Sequence, residues 1–320
     1  MNGNGHVFGA GGGQRSMRLD ADLSAFYSQA LQYVAAQAFD VKRQPLLSRQ
    51  LIPTIQGIPE WAETFKFRGH ELVGSAGLGS DKANAPRRAN VIARESTPVS
   101  IVTRWSSFSY SEEEILAARA QSIPLSSLYM QAALRAVEQM IDSDLALGDA
   151  SVGILGLLNQ TGTTTETAST KAAGGTSWTG ASADEIALDV FNLIDKIADD
   201  THDDQAKYRI VLPRTKLQRM RKVRMGDGQG GDTVYKHVLE THEQIESIRP
   251  WSRCLTAGTN SATRMCAFPV DAGVVGAVVP REPRLGAPVV GLMETEQAIT
   301  ARCGGVVAFY PLQIGYMDAI

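Results

Sequence analysis

The stretch VGSAGLGSDKANAPRR, residues 73–88, has the glycine spacing of half a phosphate-binding loop. Such a loop requires GxxxxGK[ST] running from a strand straight into a helix, so that backbone N–H groups, a lysine and a hydroxyl close around phosphate and magnesium. Here Ser80 and Asp81 stand where the lysine and the hydroxyl are needed, and Asp81 would set a negative charge against the phosphates. Pro86 interrupts any helix that would come after it. Phosphate chemistry is therefore rejected, and the glycines read as a long mobile loop whose purpose must be sought elsewhere. Gly9-Ala10-Gly11-Gly12-Gly13 echoes a dinucleotide fingerprint, but no strand precedes it and the last glycine is missing.

Other reactive residue types are equally isolated. His202 lies within Asp199-Asp200-Thr201-His202-Asp203-Asp204, a run without calcium-loop spacing that reads as a solvated helix end, with metal binding as the sharper alternative. His237 and His242 are five apart, whereas a helical metal pair needs i,i+4 spacing, so surface histidines are expected. Arg214, Lys216, Arg219, Arg221, Lys222 and Arg224 make a basic run without interleaved aromatic residues to stack bases. It suits a solvated face, an inter-subunit salt-bridge surface or nucleic-acid contact. No GxSxG nucleophile elbow occurs. The sequence thus offers no catalytic residue, no cofactor-binding residue and no metal ligand set.

Composition points the same way. The chain has 320 residues, of which 43% are hydrophobic and 20% charged, with a formal net charge of −3. That describes an ordinary globular protein with no overall electrostatic drive toward nucleic acid or acidic membranes. The N-terminus lacks the apolar stretch of a secretory signal, and the longest apolar run, near Val274 to Val279, is far shorter than the roughly 20 residues that span a bilayer. Cys254, Cys266 and Cys303 are odd in number and have no CxxC spacing, so reduced core thiols of a cytoplasmic product are expected.

The elements come in a definite order. Residues 1–16 are glycine-rich and aperiodic. Leu23, Phe26, Tyr27, Ala30, Leu31 and Val34 then mark an amphipathic helix. Glu63 to Arg68 and Pro98 to Tyr110 alternate at period two, with Val99, Ile101, Thr103 and Trp105 on one face. More than twenty polar, glycine-rich residues between them imply an extended hairpin, and a connection of that length is usually functional. Ser111 to Glu114 is a capping box opening a helix that is interrupted near Pro124 and resumes to Gly148. The Thr/Ala/Gly-rich segment up to Gly180 reads as a solvated loop or irregular hairpin. Ser182 to Glu185 is a second capping box, for a helix to about Ala198. Tyr208 to Pro213 is a short buried strand, succeeded by helical segments at 214–225 and 234–241. Strands are expected at 265–270, 274–279, 289–294 and 306–310.

This order resembles the major capsid proteins of tailed bacteriophages. The carrying residues are Phe108-Ser109-Tyr110-Ser111-Glu112-Glu113-Glu114, Gly153-Ile154-Leu155-Gly156-Leu157-Leu158-Asn159, Tyr208-Arg209-Ile210-Val211-Leu212-Pro213, and Ala301-Arg302-Cys303-Gly304-Gly305-Val306 with Tyr310-Pro311. The resemblance implies an α+β fold with an N-terminal arm and amphipathic helix (1–48), an extended β-hairpin loop (49–110), a peripheral domain with a long helix (111–180, returning at 261–320) and an axial domain (181–260). It implies a non-enzymatic subunit that builds pentamers and hexamers of an icosahedral head around double-stranded DNA. Portal, scaffolding and cement proteins are the implied partners, with DNA contacted weakly and no membrane. The subunit would be made in the host cytoplasm and reside in the virion. Gly74, Gly77 and Gly79 would give the loop the freedom to settle on neighbouring subunits, while Arg87, Arg88 and Arg94 seek carboxylates there. Some relatives crosslink through Lys and Asn side chains; Lys82 and Asn84 lie at the loop tip, but nothing local marks a catalytic partner. A cellular compartment shell of related fold and a metal-dependent enzyme using the Asp199 to Asp204 cluster are the alternatives.

Overall fold

The computed structural model of the chain describes residues 45–73, 90–120, 125–226, 231–291 and 293–320. Its helices are α1 (Ser48–Leu51), α2 (Glu112–Ala120), α3 (Leu125–Ala146), α4 (Ala183–Thr201), α5 (Arg214–Lys222) and α6 (Val234–Thr241). Both capping boxes form. The Ser111 hydroxyl accepts from the Glu114 N–H at 3.2 Å while Glu114 accepts from the Ser111 N–H at 3.1 Å. Ser182 and Glu185 repeat the exchange at 3.3 and 2.7 Å. After α3 the chain turns at Gly148, whose φ of +75° disfavours a side chain, and a Cβ there would sit 2.3 Å from the Ile154 carbonyl oxygen.

The strands are β1 (Thr64–Phe65), β2 (Arg68–Val73), β3 (Asn90–Glu95), β4 (Val99–Ser100), β5 (Val102–Ser111), β6 (Gly148–Asp149), β7 (Ile154–Leu155), β8 (Thr164–Thr167), β9 (Tyr208–Leu212), β10 (Ile245–Pro250), β11 (Arg264–Pro269), β12 (Val275–Val278), β13 (Arg281–Leu285), β14 (Val289–Val290), β15 (Glu294–Cys303), β16 (Gly305–Ala308) and β17 (Gly315–Asp318). Two sheets organise them. One is five-stranded in the order β10-β9-β11-β17-β8, with β9 and β10 parallel and joined by the α5–α6 crossover. The other centres on β15, which pairs antiparallel with β13 and β14 on one side and with all of β5 on the other.

Burial is organised around the two sheets. One core packs Ile186, Val190, Leu193 and Ile197 of α4, Leu217 and Met220 of α5, and Val234 and Val238 of α6 against β9, β10 and β11. The other packs Val137, Ile141 and Leu145 of α3 against Ile299, Ala301 and Cys303 of β15, with Trp251, Phe268 and Tyr316. Cys254, Cys266 and Cys303 are free thiols inside this second core. Burial pushes all three thiols up, Cys303 to about 12.

Three expectations are revised. The expected strand at 289–294 is instead the two-residue β14 and, from Glu294, the start of the ten-residue β15, whose partner β5 lies about 190 positions earlier in the chain. Residues 98–110 are not one strand: the pairing stops after Ser100 and restarts at Val102, which changes the facing of β5. Ile101 is therefore buried while Trp105 is 68% exposed. The segment up to Gly180 is more than a solvated loop, because Trp178 and Lys171 are both buried. Lys171 Nζ pairs with Asp189 of α4, which also accepts from Trp178 Nε1 at 2.7 Å and from the Ser169 hydroxyl at 2.6 Å. Removing one partner of a wholly buried pair leaves a charge uncompensated, at a cost of about 3–5 kcal/mol. Lys171→Ala is accordingly expected to lower stability by that amount in urea unfolding. Lys236→Ala, which breaks an exposed pair with Asp232, should change it by less than about 1 kcal/mol.

Candidate assembly surface

An arm is only as useful as its root is firm. Here the root is a small apolar cluster of Ile101, Val278 and Val307, joined by Ile55, Phe65, Phe67, Val99 and Phe309. Phe67 meets Phe309 edge-on with ring centroids 4.7 Å apart. Short pairing of β1 with β4 holds the two chains together there, Thr64 opposite Ser100 and Phe65 opposite Val99. Beyond it, β2 and β3 form a ribbon in register from Arg68↔Glu95 to Val73↔Asn90. Among the described residues this ribbon pairs with no third strand. A lone two-stranded ribbon is marginal in water, and this one displays Val91 and Ile92, 64% and 46% exposed.

The base from which the arm departs is fixed ionically. The inward face of β5 would be apolar in a simple sheet, yet it carries Arg104. That guanidinium grips Asp144 of α3 with two bonds of 2.8 and 3.0 Å and reaches Asp149 at 2.8 Å. Burial drives the Asp144 carboxyl up, and Arg104 draws it back down. Asp149 is held down to about 2, first by the Ser151 hydroxyl, then by Arg104 and the Ser151 N–H. Two residues earlier in α3, and so on another side of the helix, Asp142 accepts from the Ser48 N–H at 3.0 Å and its hydroxyl at 2.7 Å, and takes Arg253 at 3.1 Å. Helix α3 is thereby tied to β5, to α1 and to the segment after β10.

The opposite face of the β15 sheet is partly exposed among the described residues, with Arg302 at one end donating to the Glu60 carbonyl. Trp105 stands on it, opposite Thr300, and Arg284 and Arg281 come next on β13. At the far end of this sheet Val289, Val290 and Met293 are 69, 77 and 76% exposed.

Of the residues singled out for the loop, Gly74, Gly77, Gly79, Arg87 and Arg88 lie outside the described residues, as do Lys82, Asn84 and the amphipathic segment from Leu23 to Val34. Arg94 is in the ribbon, its backbone opposite Gly69. His202 caps α4 with a left-handed φ of 54°. His242 bonds to Asp195 at 3.2 Å, and its ring and that of His237 both lie beside Phe191. Among the described residues no group of three or more His, Cys, Asp or Glu is placed to hold a metal ion. Sequence reasoning missed Val91, Ile92 and the exposure of Trp105. Apolar residues on a polar ribbon were the available signal.

The sequence profile of the major capsid protein family matches residues 74–320. The chain belongs to that family. Comparison of folds agrees. The capsid of Myoviridae phage XM1 is 15% identical with a TM-score of 0.77, over 92% of this chain and 98% of that one. The capsid of a native GTA particle is 12% identical with a TM-score of 0.64, over 90% and 94%. Mycobacterium phage Cain gives 12%, 0.60, 92% and 97%. No curated protein sequence matches. This capsid protein has the α+β fold of those shells and a structural role in the virion capsid, where copies of it assemble into a shell. No helix among its described residues is long and apolar enough to cross a membrane.

The ionic base gives the capsid protein an acid sensitivity of known sign. Asp149 is depressed below its ordinary 3.8, so its contribution to stability is present above that value and is lost as pH falls toward about 2. Asp144, raised by burial, works in the opposite sense. Asp149→Asn is expected to melt lower than the parent at pH 6 and to lose less on acidification from pH 4 to pH 2, as thermal melts at both ends would show.

Proposed function

We propose that this capsid protein closes into pentamers and hexamers of an icosahedral head around double-stranded DNA, and that its extended hairpin lies across an adjacent subunit. The observation that carries the reading is the β2–β3 ribbon. It springs from a firm aromatic root, pairs with no third strand among the described residues, and shows Val91 and Ile92 to solvent. A surface so built is stabilised when a neighbour covers it. Gly74, Gly77 and Gly79 at the tip supply the adaptability that unequal five-fold and six-fold surroundings demand, and Arg87, Arg88 and Arg94 supply charge for carboxylates across the joint.

The two cores support a division of labour. We assign helices α4 to α6 to an axial domain, about 181–260, that crowds the capsomer centre, although their core also takes in Trp178, Met265, Ala267 and Met317 from outside those bounds. The α3 core belongs to a peripheral domain, 111–180 with 261–320. Function is mechanical and non-enzymatic, with contacts that gain collective strength from closure. Portal, scaffolding and cement proteins are its partners, the packaged DNA is touched weakly, and synthesis is in the host cytoplasm.

Electron microscopy of the purified protein with light scattering on the same sample tests this reading. Icosahedral particles, or discrete pentamers and hexamers, are expected, and nucleic-acid content separates a virus head from a cellular compartment. A monomer under every assembly condition would refute it. Deleting residues 74–88 is expected to leave a folded subunit that assembles at least tenfold less; normal shells from that variant would remove the loop from the mechanism.

A further inference from the structure

Helix α5 has a surface the rest of the subunit does not use. From Arg214 to Met225 there are six basic residues and no acidic one. Leu217 and Met220 turn inward, Lys216 is half-buried against Ser177, and Arg219 donates to the Ala181 carbonyl at 2.7 Å. Arg214, Arg221 and Lys222 share the outward face, with Arg224 just beyond, and all four are exposed. Arg221 lies over the Tyr235 ring at 4.7 Å and Arg224 touches the Gly231 carbonyl, but among the described residues none of the four has a carboxylate partner within salt-bridge range.

The matching negative surface lies on the same layer of helices. An open groove of about 610 Å³ is lined by Asp195, Asp199, Asp204 and Glu243, with His242 at its side. These four carboxylates are exposed. The adjacent Lys196 is bonded to Asp200 and acts on Asp199 only through space, and His242 bonds Asp195, so the lining stays net negative. Helix α6 keeps the two surfaces apart. Val234, at its start, bonds back to Val223 at the end of α5, whereas Thr241, at its other end, lines the groove, about 10 Å further on. Along α4 the separation is larger: Ala181, which holds Arg219, lies just before the helix, and twelve residues of helix, about 18 Å, separate Ala183 from Asp195.

Two complementary patches at different places on one subunit are what a head-to-tail contact needs, and head-to-tail contacts are the kind that close into rings. We infer that the exposed basic face of α5 docks into the acidic groove between α4 and the end of α6 on the next copy of this chain around the capsomer. The inference rests on the shell-subunit reading above and names the contact that sets the ring. Four exposed cations facing four exposed carboxylates give register and rate of encounter more than raw affinity, and the contact weakens as salt screens it.

Charge exchange tests it. Arg214→Glu with Lys222→Glu, and separately Asp199→Lys with Glu243→Lys, are each expected to lower the yield of rings and shells at least tenfold. All four together should restore it to within about twofold. None of these side chains is buried, and thermal melts of the unassembled variants confirm that folding is intact. As a second measurement, mixing Lys222→Cys and Glu243→Cys subunits under mild oxidation should give a disulfide-linked dimer, since the native thiols are buried. Normal shells from either reversed pair, absence of rescue with intact folding, or absence of the crosslink would overturn the interface. Normal shells with reduced DNA content after the α5 reversal would also overturn it, assigning α5 to nucleic acid. Failure of the unmodified chain to form any ring or shell would instead sink the shell reading, and this contact with it.

Discussion

Arg104 sits on the side of β5 that faces helix α3, where an apolar residue would have packed without help. Its guanidinium is satisfied there only because Asp144 lies on the facing side of α3 and Asp149 just past the helix end. A charge in such a place demands its partners in one arrangement, since a displaced helix would leave it unpaired. The angle between strand and helix is thereby fixed, and with it the direction in which the arm leaves the body. Asp142 extends the constraint to α1 and to Arg253, so three separate stretches of chain are located against one helix. The aromatic root at Phe67 and Phe309 then only has to seal a joint whose geometry is already set.

The fold was legible where its causes are local. Ser111 with Glu114 and Ser182 with Glu185 announce helix starts because all the atoms of a capping box lie within four residues. The apolar spacing of α4 is read the same way, while Pro124, where a break is expected, lies outside the described residues. Strand β15 was not seen at its full length, because Glu294 to Cys303 alternates weakly and owes its extension to hydrogen bonds with β5, far away in sequence. Trp105 was placed with Val99 and Ile101 because a break of one residue in pairing cannot be read from alternation. Lys171 was read as part of a solvated loop because only Asp189, Trp178 and Ser169 together make its burial tolerable. The candidate surface was less legible than the fold. A long glycine-rich loop could be recognised as purposeful, but the exposure of Val91 and Ile92 on its stem and the groove between α4 and α6 exist only once the elements are assembled.

The two helical layers carry different kinds of information. Around α3, charges are buried and paired within the subunit, which makes that half stiff. On the outer face of α5, charges are exposed and have no carboxylate partner among the described residues, which leaves them for a copy of the chain. The crossover between the parallel strands β9 and β10 is where this second set resides, so the sequence of α5 can be varied on its outer face without disturbing the sheet beneath it.

The pairing of residues 102–111 with residues 294–303 also bears on the order of events during synthesis. Closing so long a loop is entropically slow, and contacts of this separation form late. Strand β17 adds the same requirement to the other sheet, because it lies between β11 and β8 and comes from residues 315–318. Neither core is complete until these last strands have emerged from the ribosome. A partly made chain therefore lacks both the platform that aims its arm and the finished sheet beneath its charged helices. Topology itself thus works against premature engagement with finished subunits.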